Sequence, residues 1–340
     1  AMKNSDRILM AHGAGGRMTR KLIQDMFVPV LGNPFLEALS DAAVLPELPP
    51  GRPALTTDAF VVDPPIFPGG DLGYLSVCGT VNDLSVAGAR PLWLTWALVL
   101  EEGAKSELVA ACAAGAARAA KEAGVKIVAG DTKVVPRGKG DRIYVTTAGL
   151  GVVPPGRDVG DHRIVVGDAL LVTGPVGDHG ATIMACRHGM AGDNLCSDCA
   201  PLSSITESLM ESGAGVHAMH DPTRGGVLVT CHEVTSRAGI RIVLDEKALP
   251  VRPEVSAVCE LLGLSAVSMP CEGRALVWVD AGSAGKVLEG LRSHPAGREA
   301  AIIGRVENEA PGRAPVTMVT VSGEERPLDL LSGAELPRIC

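Results

Sequence analysis

Aromatic side chains are scarce in this sequence, with four Phe, three Trp and two Tyr among 340 residues. A chain so poor in rings builds its core from Val, Leu, Ile and Ala, and its 41 Gly residues call for many tight backbone turns. Excess positive charge is missing too. A formal net charge of −8 argues against nucleic acid or an anionic membrane as the main partner, although a magnesium-borne nucleotide is still allowed. No stretch is apolar for the length of a membrane span, and the first residues carry no signal-peptide pattern. No zinc ligand set is complete, because Cys196-Ser-Asp-Cys199 is a lone CxxC without a second pair or a nearby His-x-x-x-His. Nine cysteines, mostly inside apolar runs, read as structural thiols of a reduced, cytoplasmic protein.

What is present is globular: 46% hydrophobic and 21% charged residues, over a length that suits two domains. Residues 1–40 read as a Gly-rich N-terminal arm with a helix near 17–27. From 41 to 155 strands are expected over 55–62, 92–100, 126–129 and 143–153, and helices over 72–88 and 106–123. Pro154-Pro155-Gly156 marks a boundary. A second unit over 156–321 has expected strands at 169–173, 241–244, 274–279 and 301–306. Its expected helices are 181–187, 202–212, 225–238, 253–262 and 284–293. The alternation predicts an α/β (α+β) fold, two layered domains with a ligand cleft between them. Residues 322–340 are polar and Pro/Gly-punctuated, and read as a flexible tail.

Five aspartates recur beside small residues at expected element ends: Asp41, Asp58, Asp83, Asp131 and Asp221. Singly, each reads as a cap or turn residue. Together they suit magnesium, which takes oxygen ligands and bridges carboxylates to phosphates. Asp83 is the most telling, since it falls in an expected helix among apolar and small neighbours, where an unpaired carboxylate is costly. His12-Gly13-Ala14-Gly15-Gly16 precedes the first helix, where glycines let phosphate oxygens approach backbone N–H groups. It lacks the Gly-Lys-Ser/Thr of a Walker A loop and is not a GxGxxG. Arg224-Gly225-Gly226 leads into another helix and could also face phosphate. Lys133 shares a strand face with Asp131, either beside a metal–phosphate cluster or in a plain surface ion pair. Cys340 closes the sequence as neither a prenylation box nor half of a CxxC, which suits a mobile nucleophile or carrier.

These residues resemble the HypE family of hydrogenase maturation factors. That family lies within the ATP-using superfamily typified by aminoimidazole ribonucleotide synthetase, which also holds selenophosphate synthetase and thiamine-monophosphate kinase. The resemblance runs nearly end to end. It rests on His12-Gly-Ala-Gly-Gly16, Phe67-Pro-Gly-Gly-Asp71, Cys78-Gly-Thr-Val-Asn-Asp-Leu84, Gly130-Asp-Thr-Lys-Val-Val135, Asp178-His-Gly180, Asp221-Pro-Thr-Arg-Gly-Gly226 and Pro337-Arg-Ile-Cys340.

The resemblance implies the superfamily's two-domain fold and a carbamoyl group carried on Cys340. ATP phosphorylates the carboxamide oxygen, and loss of two N–H protons and phosphate leaves a thiocyanate that supplies cyanide to the nickel–iron site. It implies magnesium on Asp41, Asp58, Asp83, Asp131 and Asp221. It implies ATP contacts from His12, Gly13, Gly15, Gly16, Asn82, Asp83, Asp131, Thr132, Lys133 and Arg224. Lys133, as a desolvated lysine of lowered pKa, and Glu272 are the candidates that act on the carboxamide; His12 and His179 read first as structural. A homodimer is implied, as are a HypF carbamoyltransferase and a HypC–HypD iron-carrying complex as partners. No role follows for Cys196 and Cys199. If extended, residues 326–340 could span at most about 50 Å, enough to swing the thiol between its own cleft and another protein. Two other readings stay open: a small-molecule kinase or synthetase of the same superfamily, and a non-catalytic thiol carrier or scaffold.

Overall fold

The computed structural model describes residues 7–190, 192, 194–213, 215–330, 336 and 338–340. The N-terminal arm carries α1 (Arg17–Leu22), a π-helical stretch Ile23–Phe27 and α2 (Val28–Leu31). β1 (Arg52–Phe60) follows, then a small hairpin of β2 (Ile66–Phe67) and β3 (Gly70–Asp71). Next come α3 (Leu72–Val86), β4 (Arg90–Glu101), α4 (Ser106–Ala123), β5 (Lys126–Val135) and β6 (Ile143–Val153). The sheet order is β1-β6-β4-β5, with β4 and β5 parallel across the α4 crossover.

Small and apolar residues let α3 be buried on almost every side. It crosses α4 at Gly73, where a Cβ would lie 1.8 Å from the Cys112 carbonyl oxygen, so a side chain there would force the helices apart. Both helices pack on one face of the sheet. β1 shows the resulting alternation: Ala54, Thr56, Asp58 and Phe60 turn inward, whereas Leu55, Thr57 and Ala59 turn out. Leu55 is 77% exposed.

The second domain comprises β7 (Ala169–Val172), α5 (Asp178–Arg187), α6 (Ser203–Glu211), β8 (Val216–His220), α7 (Gly226–Ala238) and β9 (Ile240–Asp245). It continues with α8 (Pro253–Leu262), β10 (Leu276–Val279), α9 (Ala284–Ser293), β11 (Ala301–Asn308), β12 (Val316–Val319) and β13 (Glu325–Pro327). Its seven strands run β13-β12-β9-β11-β7-β10-β8 around a core that includes Trp278, Leu276 and Leu170.

Five strands go beyond the expected pattern, the two-residue β2 and β3 among them. β8 is short and His-rich, and β12 has only four residues. β13 lies inside the segment read as a flexible tail: its residues are exposed, and it is held as an edge strand by pairing with β12. Arg241, 1% exposed, reaches Glu307 and Glu325 together and fastens β13 to the sheet. β5 also runs six residues past the expected 126–129, through Gly130-Asp-Thr-Lys.

Candidate active site

A cavity of about 350 Å³ between the domains is lined by Asp58, Asp83, Asp221, Arg224, Glu272 and Cys340, among others. Asp58 comes from the inward face of β1, and Asp83 from the last turn of α3. Asp221 directly follows β8, Arg224 precedes α7, and Glu272 precedes β10. Thr56 Oγ1 donates to Asp83 Oδ2 at 2.7 Å, and the Asp58 carboxyl lies beside that of Asp83. Burial, then repulsion from Asp83, pushes the Asp58 pKa up to about 6, with Arg224 opposing. Burial likewise raises Asp221 to about 7, helped by Asp83 and Asp58, and raises Asp83. Glu272 is 2% exposed, its Oε1 has no hydrogen-bond partner, and its pKa is driven well above the ordinary range by burial and then by Asp221.

Carboxylates held this way lack positive charge. The arrangement fits a divalent cation carrying phosphate oxygens, with Asp58, Asp83 and Asp221 as the groups that would hold it. Among the described residues no group of three or more His, Cys, Asp or Glu side chains is gathered closely enough to hold a metal ion by itself.

Asp58 ionises near pH 6 in the folded chain and near 3.8 otherwise. Its contribution to stability is therefore full below about pH 4 and is lost as pH rises through 6. Asp58→Asn removes that loss. The variant's melting temperature, without nucleotide, should exceed that of the unchanged chain by about 2–4 °C at pH 7, with the gap shrinking towards pH 4. A gap independent of pH, measured by calorimetry, would contradict the electrostatic account.

Cys340 rests inside the cleft. The Val61 N–H donates to the Cys340 carbonyl (3.1 Å), and the Asp63 N–H donates to that of Arg338 (3.2 Å). Arg338 pairs with Asp141, and Arg187 donates to the Arg338 carbonyl. His179 Nε2 lies 2.7 Å from the Ile339 carbonyl oxygen. Burial, then Glu272, lifts the Cys340 pKa to about 12. The last residues of the expected flexible tail are thus docked.

The five aspartates do not meet within one chain. Register aligns Asp58 with Thr147, Trp96 and Gly130 across the sheet. Asp131 is therefore about 14 Å away, three strand spacings, and with Ala97 and Val99 it belongs to the opposite, open face. Asp41, Asp131, Thr132 and Gly15 instead line a separate cavity of about 460 Å³ beside the arm. Lys133 pairs with Asp131 at 2.5 Å, and its side chain is 63% exposed. The expected desolvated base is not found there in a single chain.

Other expected ATP ligands are otherwise engaged. His12 is buried and accepts from the Leu9 N–H. Gly13 lets the chain pass Val134, whose backbone nitrogen a Cβ would meet at 2.5 Å. Gly16 caps α1 and is exposed. Asn82 donates to the carbonyls of Ala200 and Glu272 and accepts from the Leu202 N–H, so it joins the domains rather than facing a nucleotide.

Two family profiles match the chain, AIR synthase related protein, N-terminal domain, over residues 39–153 and its C-terminal domain over 165–316. Carbamoyl dehydratase HypE of Rhodobacter capsulatus is 45% identical over 339 residues, covering 98% of each chain. A crystal structure of the hydrogenase maturation protein HypE in complex with ATP matches at TM-score 0.93 and 40% identity, over 98% of this chain and 99% of that one. HypE in a crystallised HypE–HypF complex matches at TM-score 0.78 and 42% identity, over 91% and 99%.

The chain belongs to the HypE family.

Within that family's fold, the sequence reading passed over Asp198 and Ser197. They sit between the two cysteines of the CxxC. Cys196 is exposed and Cys199 is buried in the core, both as free thiols. Asp198 has a fully buried side chain that accepts the N–H groups of His179, Glu272 and Gly273. Its only signal was a carboxylate flanked by small residues.

Proposed function

We infer that this chain is an ATP-dependent carbamoyl dehydratase, converting a carbamoyl group on its own Cys340 to a thiocyanate. The observation that carries the reading is the seat of Cys340, in one cavity with three charge-starved aspartates and the buried Glu272. The carboxamide oxygen attacks the γ-phosphorus of ATP and ADP leaves. One N–H proton departs as the C=N bond forms, and the second departs as the C–O bond breaks and phosphate takes the electron pair. Bound magnesium supplies charge neutralisation at the transferring phosphoryl group.

The chain's residues divide the remaining work. Arg224 adds a cation at the phosphate side of the cleft. Glu272 is the group placed to take a proton from nitrogen: burial, and then repulsion from Asp221, Asp198, Asp58 and Asp83, holds its own proton, and neutralising Asp58, Asp83 and Asp221 would remove the larger part of that repulsion. The docked tail and the closed domain interface exclude water, which would hydrolyse a phosphorylated carboxamide. A thiol with a pKa of about 12 is a poor nucleophile at neutral pH. Cys340 therefore accepts its carbamoyl group outside the cleft and returns as a thioester-like sulfur without a proton to lose. A HypF protein is the donor this reading requires, supported by the solved HypE–HypF complex; HypC–HypD would take the cyanide. Nine free thiols, most of them buried, support a cytoplasmic setting; among the described residues no helix is long and apolar enough to cross a membrane.

A homodimer completes the site. The open face of the first sheet carries Leu55, Thr57 and Ala59 on β1 and Asp131 and Lys133 on β5. A two-fold axis parallel to the strands would lay β1 of one copy over β5 of the other. Asp131 and Lys133 would then approach the partner's β1 edge. Leu55→Asp should convert dimers to monomers in light scattering after gel filtration; an unchanged mass would remove this interface.

The activity itself is tested by ATP consumption with and without a carbamoyl donor. Turnover should require both the donor and Cys340. Turnover that ignores them would favour a small-molecule kinase.

A further inference from the structure

His179 and the Ser197-Asp198 pair form a structure that the reaction as described does not use. His179 is wholly buried, edge-on to Phe67 with centroids 5.4 Å apart. The Ile339 carbonyl can only accept, so His179 Nε2 carries the proton at the 2.7 Å contact. Burial keeps the ring neutral, so Nδ1 presents a lone pair. Ser197 Oγ, 2.8 Å away, donates to it and in turn accepts from the Cys199 N–H at 3.1 Å. The tautomer is thereby fixed by the loop.

Asp198 ties the same loop to the opposite wall of the cleft. Its Oδ1 accepts from the backbone N–H of His179 (3.1 Å) and of Glu272 (3.2 Å), and its Oδ2 from that of Gly273 (3.2 Å). Gly273 lies so close that a Cβ would sit 1.9 Å from the Asp198 carbonyl oxygen. One short loop therefore sets both the anchor of the residue before Cys340 and the backbone of Glu272.

We propose that His179, oriented by Ser197 and spaced from Glu272 by Asp198, is a positioning residue that latches the Cys340 segment in the cleft. The latch opposes carbamoyl acceptance, which needs the thiol outside, and favours dehydration, which needs the carboxamide inside. That second consequence rests on the dehydratase reading; the latch itself does not.

The test is alkylation of the full-length protein with iodoacetamide, read by mass spectrometry on the peptide carrying Cys340. Exposed Cys196 serves as the internal control and buried Cys199 as the reporter of damage. His179→Ala removes the donor while leaving the Val61, Asp63 and Arg187 contacts, so Cys340 should label about tenfold faster. His179→Gln can still present an amide N–H and should label near the original rate. Ser197→Ala, which frees the ring without removing it, should label severalfold faster and serves if His179→Ala does not fold. With a carbamoyl donor and ATP, His179→Ala should accumulate the carbamoylated form and make thiocyanate about tenfold more slowly.

An unchanged Cys340 rate in both His179→Ala and Ser197→Ala overturns the latch. So does labelling of Cys199 in step with Cys340, which would mean general loosening. Faster labelling in a protein that never dehydrates would leave the latch standing and remove the dehydratase reading instead.

Discussion

Cys340→Ala is expected to abolish thiocyanate formation completely, while ATP binding and thermal stability stay close to those of the unchanged chain. Among the described residues lining the cavity, Cys340 supplies the thiol, so no residual pathway is expected. Structural damage should be small. Cys340 is held through its backbone carbonyl, by the Val61 N–H, and alanine keeps that bond. The sulfur packs at the edge of the first core, beside Ile339, and truncation removes one partly exposed atom. Mass spectrometry of the variant after incubation with a carbamoyl donor and ATP checks this. Product on any other cysteine would show that Cys340 is not the acceptor.

Glu272→Gln should lower dehydration by about 100- to 10,000-fold, the usual range for removing a general base. Gln has the same shape and keeps the main-chain bonds to Asp198 and Asn82. It also relieves the burial of a carboxyl group among Asp221, Asp198, Asp58 and Asp83. The variant should therefore be at least as stable as the original and still accept the carbamoyl group, so that carbamoylated Cys340 accumulates. Equal rates of dehydration in the two proteins would assign the base elsewhere, with Lys133 of a partner copy the next group to test.

The layered fold was legible because apolar periodicity marked most strands and helices, and Pro154-Pro155-Gly156 marked a break in it. The short strands were not. β8 is too short to show a period and β13 has no apolar run, and their pairing is set by distant partners, β10 for β8 and β12 with Arg241 for β13. Asp58, Asp83 and Asp221 could be picked out as carboxylates beside small residues. Their separation from Asp131 could not, because it depends on the register that puts Asp131 on the far face of the sheet. His12 and Asn82 carried the right chemistry for a ligand, but it is spent on Leu9, Ala200, Glu272 and Leu202. The role of Asp198 is invisible in one dimension, since its three N–H partners lie 19 to 75 positions away.

Phosphorylation of the carboxamide oxygen on Cys340 is followed by loading Cys340 with a carbamoyl group whose oxygen is the heavy isotope and adding ATP. The heavy oxygen should appear in inorganic phosphate, in step with loss of the elements of one heavy-oxygen water from the peptide carrying Cys340. Heavy oxygen released into water, with phosphate unlabelled, would contradict that phosphorylation.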